Sequence, residues 1–170
     1  LPKVRFWRNG LDLDRLRQPP SPARIERLRA EIAEEKSAGK SRPLLLLNVA
    51  SLTDHKGQKY LLGAMPTVLA KLPQTVLAIV GEGELEWELQ HQCRTLAIEE
   101  DVSFGGFRDD VPDLLHACDV FVMSSHLEGL CTSVMDAMAA GKPVVVTAAG
   151  GLPGLVEHEK KESLEAAALR

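Results

Sequence analysis

The chain has 170 residues and a formal net charge of −4, with 45% hydrophobic and 26% charged residues, the composition of one soluble globular domain large enough to bury a core. A negative net charge with only 4% aromatics excludes a basic nucleic-acid face and a platform of rings for stacking bases. The three cysteines, Cys93, Cys118 and Cys131, have no CxxC or metal-like spacing and read as reduced thiols of a cytosolic protein. No apolar run reaches the length of a membrane span, and Leu1-Pro2-Lys3 does not open a signal peptide. The missing initiator Met suggests a processed chain or a fragment.

Residues 1–20 read as a linker ending in Pro19-Pro20, and residues 21–170 as one domain. Ser21 is placed to cap a helix with Pro22 at its first position, and Ile25, Leu28 and Ile32 recur at helical spacing before Gly39 ends the element. Leu44–Val49 is an apolar run suited to a strand buried on both faces. A polar loop, Ser51–Gly57, precedes a helix carrying Tyr60, Leu61, Ala64, Met65, Val68 and Leu69, which Pro66 should kink or shorten.

The unit then repeats. Thr75–Val80 is a strand, Gly81-Glu82-Gly83 a turn, and Leu85, Leu89, Cys93 and Leu96 a helical stripe. Val102–Phe104 predicts a short strand, Gly105–Asp110 a loop with Asp109-Asp110 near a helix N-cap, and Val111–Ala117 a short helix. Val120–Met123 and Val144–Thr147 complete the strands, with a helix between them starting near Thr132 and stopping at Gly141-Lys142-Pro143. Alternating strands and helices at this spacing imply an α/β fold with a Rossmann-like parallel sheet and helices on both faces. Ligands of such sheets lie beyond the carboxyl ends of the strands, so the strand-to-helix loops hold the candidate site residues.

One stretch concentrates the chemistry. Glu128 and Gly129 follow an apolar strand, and Asp136 comes after seven further residues inside the next helix. The amides of Leu130, Cys131, Thr132 and Ser133 fall at the positive end of that helix and suit a diphosphate, with the Thr132 and Ser133 hydroxyls adding donors. Side chains lean toward a helix's N-terminus, which points Asp136 back to the same place. Two carboxylates beside an anion site make sense for a ligand that also carries hydroxyls, as a sugar and a ribose do. His126, two residues before Glu128, and His55, in the polar loop, read as a possible ligand-orienting group and a solvated loop residue respectively; His91, His116 and His158 read as surface or helix-flank residues. Gly81 either lines the cleft or serves its tight turn.

Glu128-x7-Asp136 followed by AMAAGKPVVVT resembles the E-x7-E signature of retaining glycosyltransferases of the GT-B fold, the glycosyl transferases group one. NVASLTDHKG resembles that family's first phosphate loop, VGEGE its second turn, VSFGGFRDDVPDLL its base-side loop, and RNGLDLDRL its interdomain hinge. The resemblance runs from about Arg8 to Val156 and implies the donor-binding half of a GT-B enzyme. It implies that Glu128 holds the donor sugar, Asp136 the ribose diol, and Lys56 the departing diphosphate, with the backbone of Phe107 and Arg108 facing the base. It further implies nucleotide-sugar binding without a metal or other cofactor, a sugar or lipid-linked acceptor held by an N-terminal domain outside this chain, and a cytoplasmic protein that can work peripherally to a membrane. Three departures stand beside it. Ser51 occupies the place of the family's arginine, Asp136 is one methylene shorter than glutamate, and after Val156 the chain runs directly into EHEKKESLEAAALR. A non-catalytic nucleotide or nucleotide-sugar binding module is the first alternative, and a sugar-nucleotide epimerase ranks below it.

Overall fold

The computed structural model describes residues 13–33 and 42–156. The helix end expected at Gly39, the hinge at residues 8–12 and the segment after Val156 lie outside the described residues. The elements in chain order are α1 (Leu13–Arg17), α2 (Pro22–Ala33), β1 (Leu44–Val49), α3 (Gln58–Lys71), β2 (Thr75–Val80) and α4 (Glu86–Thr95). They continue with β3 (Val102–Phe104), α5 (Val111–Ala117), β4 (Val120–Met123), α6 (Thr132–Ala139) and β5 (Val144–Val146). The five strands form one parallel sheet in the order β3-β2-β1-β4-β5.

The sheet is sandwiched. Val76, Ala78 and Val80 of β2 point into a core shared with Leu28 and Ile32 of α2, Leu114 and Leu115 of α5, and Val134 and Ala137 of α6. Leu77 and Ile79 point the other way, onto Leu61, Leu62 and Met65 of α3 and Leu89 and Cys93 of α4. Burial on both faces explains why β2 is apolar throughout instead of alternating. Each such Leu or Ile taken fully out of water contributes about 1.5–3 kcal/mol, so the two apolar layers are the main source of stability.

Local signals placed most elements where the residues suggested. The Arg24 amide donates to Ser21 Oγ at 3.3 Å, and α2 begins at Pro22. Two elements differ in extent. Pro66 does not shorten its helix: α3 runs unbroken from Gln58 to Lys71, with exposed Pro66 on the solvent side and buried Leu62 and Met65 holding the helix to the sheet. β5 ends at Val146, one residue before the expected Thr147, whose amide still donates to the Met123 carbonyl at 3.0 Å and whose hydroxyl donates to the Ser125 carbonyl. Within the stretch read as a linker, α1 forms a helix that buries Leu16 in the core. Cys93, Cys118 and Cys131 are buried and in no disulfide, and burial pushes the Cys118 thiol up to about 11.

Candidate functional site

The strand order decides where a ligand can enter. The chain leaves β1 toward one face, through α3, and leaves β4 toward the other, through α6. The loops after these two neighbouring strands therefore diverge and open a crevice at the carboxyl edge, the topological switch point of such sheets. The β1–β4 ladder pairs Leu46 with Val120 and Leu47 with Phe121. One residue further on, the buried Asn48 side chain donates to the Val122 carbonyl at 2.8 Å, holding the strands at the mouth of the crevice.

Lys56 and Glu128 meet in that crevice. Lys56 ends a 3-10 turn, Asp54–Lys56, in the loop after β1, and Glu128 lies in the loop after β4. The Lys56 ammonium donates to Glu128 Oε1 at 2.7 Å, and the Ser125 hydroxyl donates to the same oxygen at 2.7 Å. The side chains are 19% and 6% exposed, so the pair is shielded without being sealed from solvent. Burial alone would raise the Glu128 carboxyl; hydrogen bonds from Lys56 and Ser125, the Lys56 charge and the Cys131 thiol outweigh it and hold the carboxyl below its ordinary value. The result is a fixed carboxylate beside a fixed ammonium: one acceptor for hydroxyls, one cation for an anion.

The loop after β5 braces Glu128 from behind. The Gly151 amide donates to the Glu128 carbonyl at 3.2 Å. Gly150 has φ +53, and a Cβ there would lie 1.9 Å from the Glu128 carbonyl oxygen. Only a residue without a side chain allows this approach. Sequence reasoning passed over Ser125, Asn48, Thr147 and Gly150; the Gly150-Gly151 pair after a strand was the one available signal.

The other expected site residues are distributed around this pair. Gly129 and Leu130 are exposed in the same loop, and α6 begins at Thr132 with buried Cys131 as its cap residue. Cys131 supplies no side-chain cap, so the first-turn amides of α6 lack intrahelical partners, and Ser133 Oγ sits 3.5 Å from Cys131 Sγ while Thr132 is exposed. Asp136 is half-buried one turn into α6; its carboxylate has no hydrogen-bonding or ionic partner among the described residues, and burial pushes it up. Phe107 is 74% exposed in the loop after β3. The neighbouring Arg108 guanidinium is engaged by both Asp110 oxygens at 2.8 Å and by Glu31. Asp110 stands at the N-cap of α5 as expected, but its carboxylate faces Arg108 and Arg24 instead of the helix amides. The Gly81 amide is occupied by the Gly106 carbonyl at 2.8 Å. Ser51 is exposed, its hydroxyl 3.4 Å from Thr53 Oγ1. A hollow of 360 Å³ lies between α4 and the edge strand β3, lined by Gln90, Arg94, Glu99 and Phe104, and includes neither Lys56 nor Glu128.

Among the described residues no group of three or more His, Cys, Asp or Glu is placed to hold a metal ion, and no helix is long and apolar enough to cross a membrane.

The family profile described as glycosyl transferases group 1 matches residues 30–167. An uncharacterised glycosyltransferase of Methanocaldococcus jannaschii is 38% identical over 117 residues, covering 68% of this chain and 30% of its own length. A Mycobacterium tuberculosis protein named as a GDP-mannose-dependent alpha-(1-6)-phosphatidylinositol monomannoside mannosyltransferase is 34% identical over 163 residues, covering 89% of this chain and 40% of its own length. The crystal structure of Anabaena HepE in complex with UDP and glucose superposes with a TM-score of 0.75 at 34% identity, covering 88% of this chain and 40% of HepE. The chain thus spans well under half the length of these relatives.

Proposed function

This chain belongs to the glycosyl transferases group 1 family, and on that premise we propose that it is the donor-binding domain of a GT-B glycosyltransferase acting with retention at the anomeric carbon. One observation carries the reading: a shielded ammonium and carboxylate from the loops after β1 and β4, 2.7 Å apart at the switch point. The HepE complex, solved with UDP and glucose, supports a nucleoside diphosphate sugar as the ligand class.

Glycosyl transfer needs the diphosphate to depart as positive charge grows on the sugar. Lys56 and the first-turn amides of α6 supply fixed positive charge where the leaving group's negative charge develops. Glu128 accepts from the donor sugar's hydroxyls, and Asp136, its carboxylate unpartnered, accepts from the ribose diol. The backbone at Phe107 and Arg108 faces the base. These groups provide the electrostatics without a resident metal. The acceptor, a sugar or a lipid-linked sugar, is held by a facing N-terminal domain, with residues 8–12 as the hinge and the whole enzyme cytoplasmic or peripheral to a membrane.

A donor module without catalysis is the second reading, favoured by Ser51, whose hydroxyl reaches only Thr53 and leaves Lys56 to carry the cationic contact. Thermal-shift measurements with UDP, GDP and ADP, free and sugar-linked, test the shared claim. A bound nucleotide raises the melting temperature by an amount that grows with the logarithm of ligand concentration over Kd. No shift with any of them at millimolar concentration contradicts both readings.

A further inference from the structure

The 3-10 turn that presents Lys56 has three consecutive carbonyls, and all three accept hydrogen bonds from the loop that presents Glu128. His126 Nε2 lies 2.9 Å from the Asp54 carbonyl, the His126 amide donates to the His55 carbonyl at 3.0 Å, and Ser124 Oγ donates to the Lys56 carbonyl at 3.1 Å. A carbonyl only accepts, so Nε2 carries a proton and donates. Nε2 also lies 3.2 Å from Asp54 Oδ2, and the imidazole edge meets the Tyr60 ring with centroids 6.3 Å apart. Asp54 is itself paired with Lys59 at 2.5 Å. His126 and Asp54 are exposed, so this is not a core contact that the fold needs for burial.

A three-residue turn has little packing of its own, and residues Asp54–Lys56 include none that is buried. Its position relative to Glu128 is set by whatever grips it. Of the three gripping bonds, one comes from a backbone amide and one from Ser124; His126 supplies the only imidazole, and its donor lies at the end of the turn opposite Lys56. Loss of the His126 side chain leaves Asp54 with only local partners, Lys59 and the Gly57 amide, and leaves two bonds between the turn and the Glu128 loop, so the turn can shift against that loop and move the lysine stem.

We infer that His126 is a positioning residue: it fixes where the Lys56 ammonium sits by locking the Asp54–Lys56 turn onto the Glu128 loop, and acts on diphosphate binding through Lys56 without touching the ligand. The inference rests on the donor-site reading of Lys56. It differs from the reading of His126 as a possible ligand-orienting group, because its Nε2 donor is spent on Asp54.

Calorimetric titration of the chain with UDP and with GDP tests this through His126→Ala, His126→Gln, Lys56→Ala and the double variant of His126→Ala with Lys56→Ala. His126→Ala is expected to weaken binding about three- to tenfold, the worth of one hydrogen bond. Gln places an amide N–H near the Nε2 position and should restore affinity to within about twofold. In the Lys56→Ala background, His126→Ala should change affinity by less than about twofold, since there is no ammonium left to place. Unchanged affinity in His126→Ala overturns the inference, as does an undiminished His126→Ala effect once Lys56 is gone; the latter result assigns His126 to direct ligand contact. Failure of Lys56→Ala to weaken binding overturns the donor-site reading itself, and the two failures are distinct. Melting temperatures of the variants exclude unfolding as the cause of any loss.

Discussion

The Lys56 ammonium and the Glu128 carboxylate, 72 residues apart in the chain, are held 2.7 Å apart in the crevice between β1 and β4. The Glu128 carboxylate stands beside Lys56 where, on the donor-site reading, a phosphate oxygen would bind. A diphosphate must therefore compete with Glu128 for Lys56.

That competition gives two substitutions opposite signs. Lys56→Ala should weaken UDP or GDP binding by about one to two orders of magnitude, since a charge-assisted contact contributes roughly 1.5–3 kcal/mol. Glu128→Gln removes both the competitor and a nearby like charge, and should tighten binding of the free diphosphate by roughly three- to tenfold. It should also abolish any preference for the sugar-linked form. Calorimetry on both variants checks the pair; a Glu128→Gln protein that binds UDP and GDP more weakly shows that the carboxylate is not a competitor.

Stability should fall in acid through the same carboxylate. The folded-state pKa of Glu128 lies below its ordinary value because Lys56 and Ser125 outweigh burial. Its contribution is therefore fully present above the unfolded value, about 4.3, and is lost as pH drops from there through the folded value. Melting curves from pH 6 down to about 3 should converge for the native chain and Glu128→Gln. Parallel curves over that range would mean that the pair does not titrate with folding.

Gly150 and Gly141 offer an internal comparison, with φ +53 and +72. A Cβ at Gly141 meets nothing within 4 Å, whereas one at Gly150 lands 1.9 Å from the Glu128 carbonyl oxygen. Gly141→Ala should cost about 1–2 kcal/mol of left-handed strain alone. Gly150→Ala should cost several kcal/mol, on the order of 3, through strain plus a backbone clash. It should also reduce any preference for the sugar-linked nucleotide by displacing Glu128. Urea denaturation of both variants measures the difference; equal costs would remove the bracing role given to the loop after β5.

The isolated chain should bind a nucleoside diphosphate at micromolar to millimolar strength and transfer no sugar. Transfer requires an acceptor hydroxyl held against the anomeric carbon, and orientation of that kind is a large share of the barrier. Incubation with radiolabelled nucleotide sugars and an acceptor panel reads this out. Glycoside formed by these 170 residues alone would overturn the half-enzyme reading.

Most of the architecture was legible because strand burial and helix spacing are local. The run Thr75–Val80 needs no partner to announce a doubly buried strand, and Ser21-Pro22 marks its helix start unaided. Pro66 does not end its helix because tertiary packing of Leu62 and Met65 overrides a local breaker. In the site, Lys56 and Glu128 were legible as charges of one cleft at the carboxyl edge, but not as a direct ion pair, since that contact depends on which strands are neighbours. The engagement of Arg108 by Asp110 and Glu31 was hidden for the same reason. The contact of His126 Nε2 with Asp54 was hidden for the same reason.

Amide chemical-shift mapping of the isotopically labelled chain during titration with UDP and GDP tests the central claim most directly. The largest shifts should fall on the Ser51–Gly57 loop, the Gly105–Asp110 loop and the stretch from Ser124 to Ser133, all at the carboxyl edge of the sheet. Saturable shifts confined to the hollow beside Gln90 and Arg94, with the Lys56 and Glu128 amides unmoved, would place the nucleotide elsewhere and contradict the account.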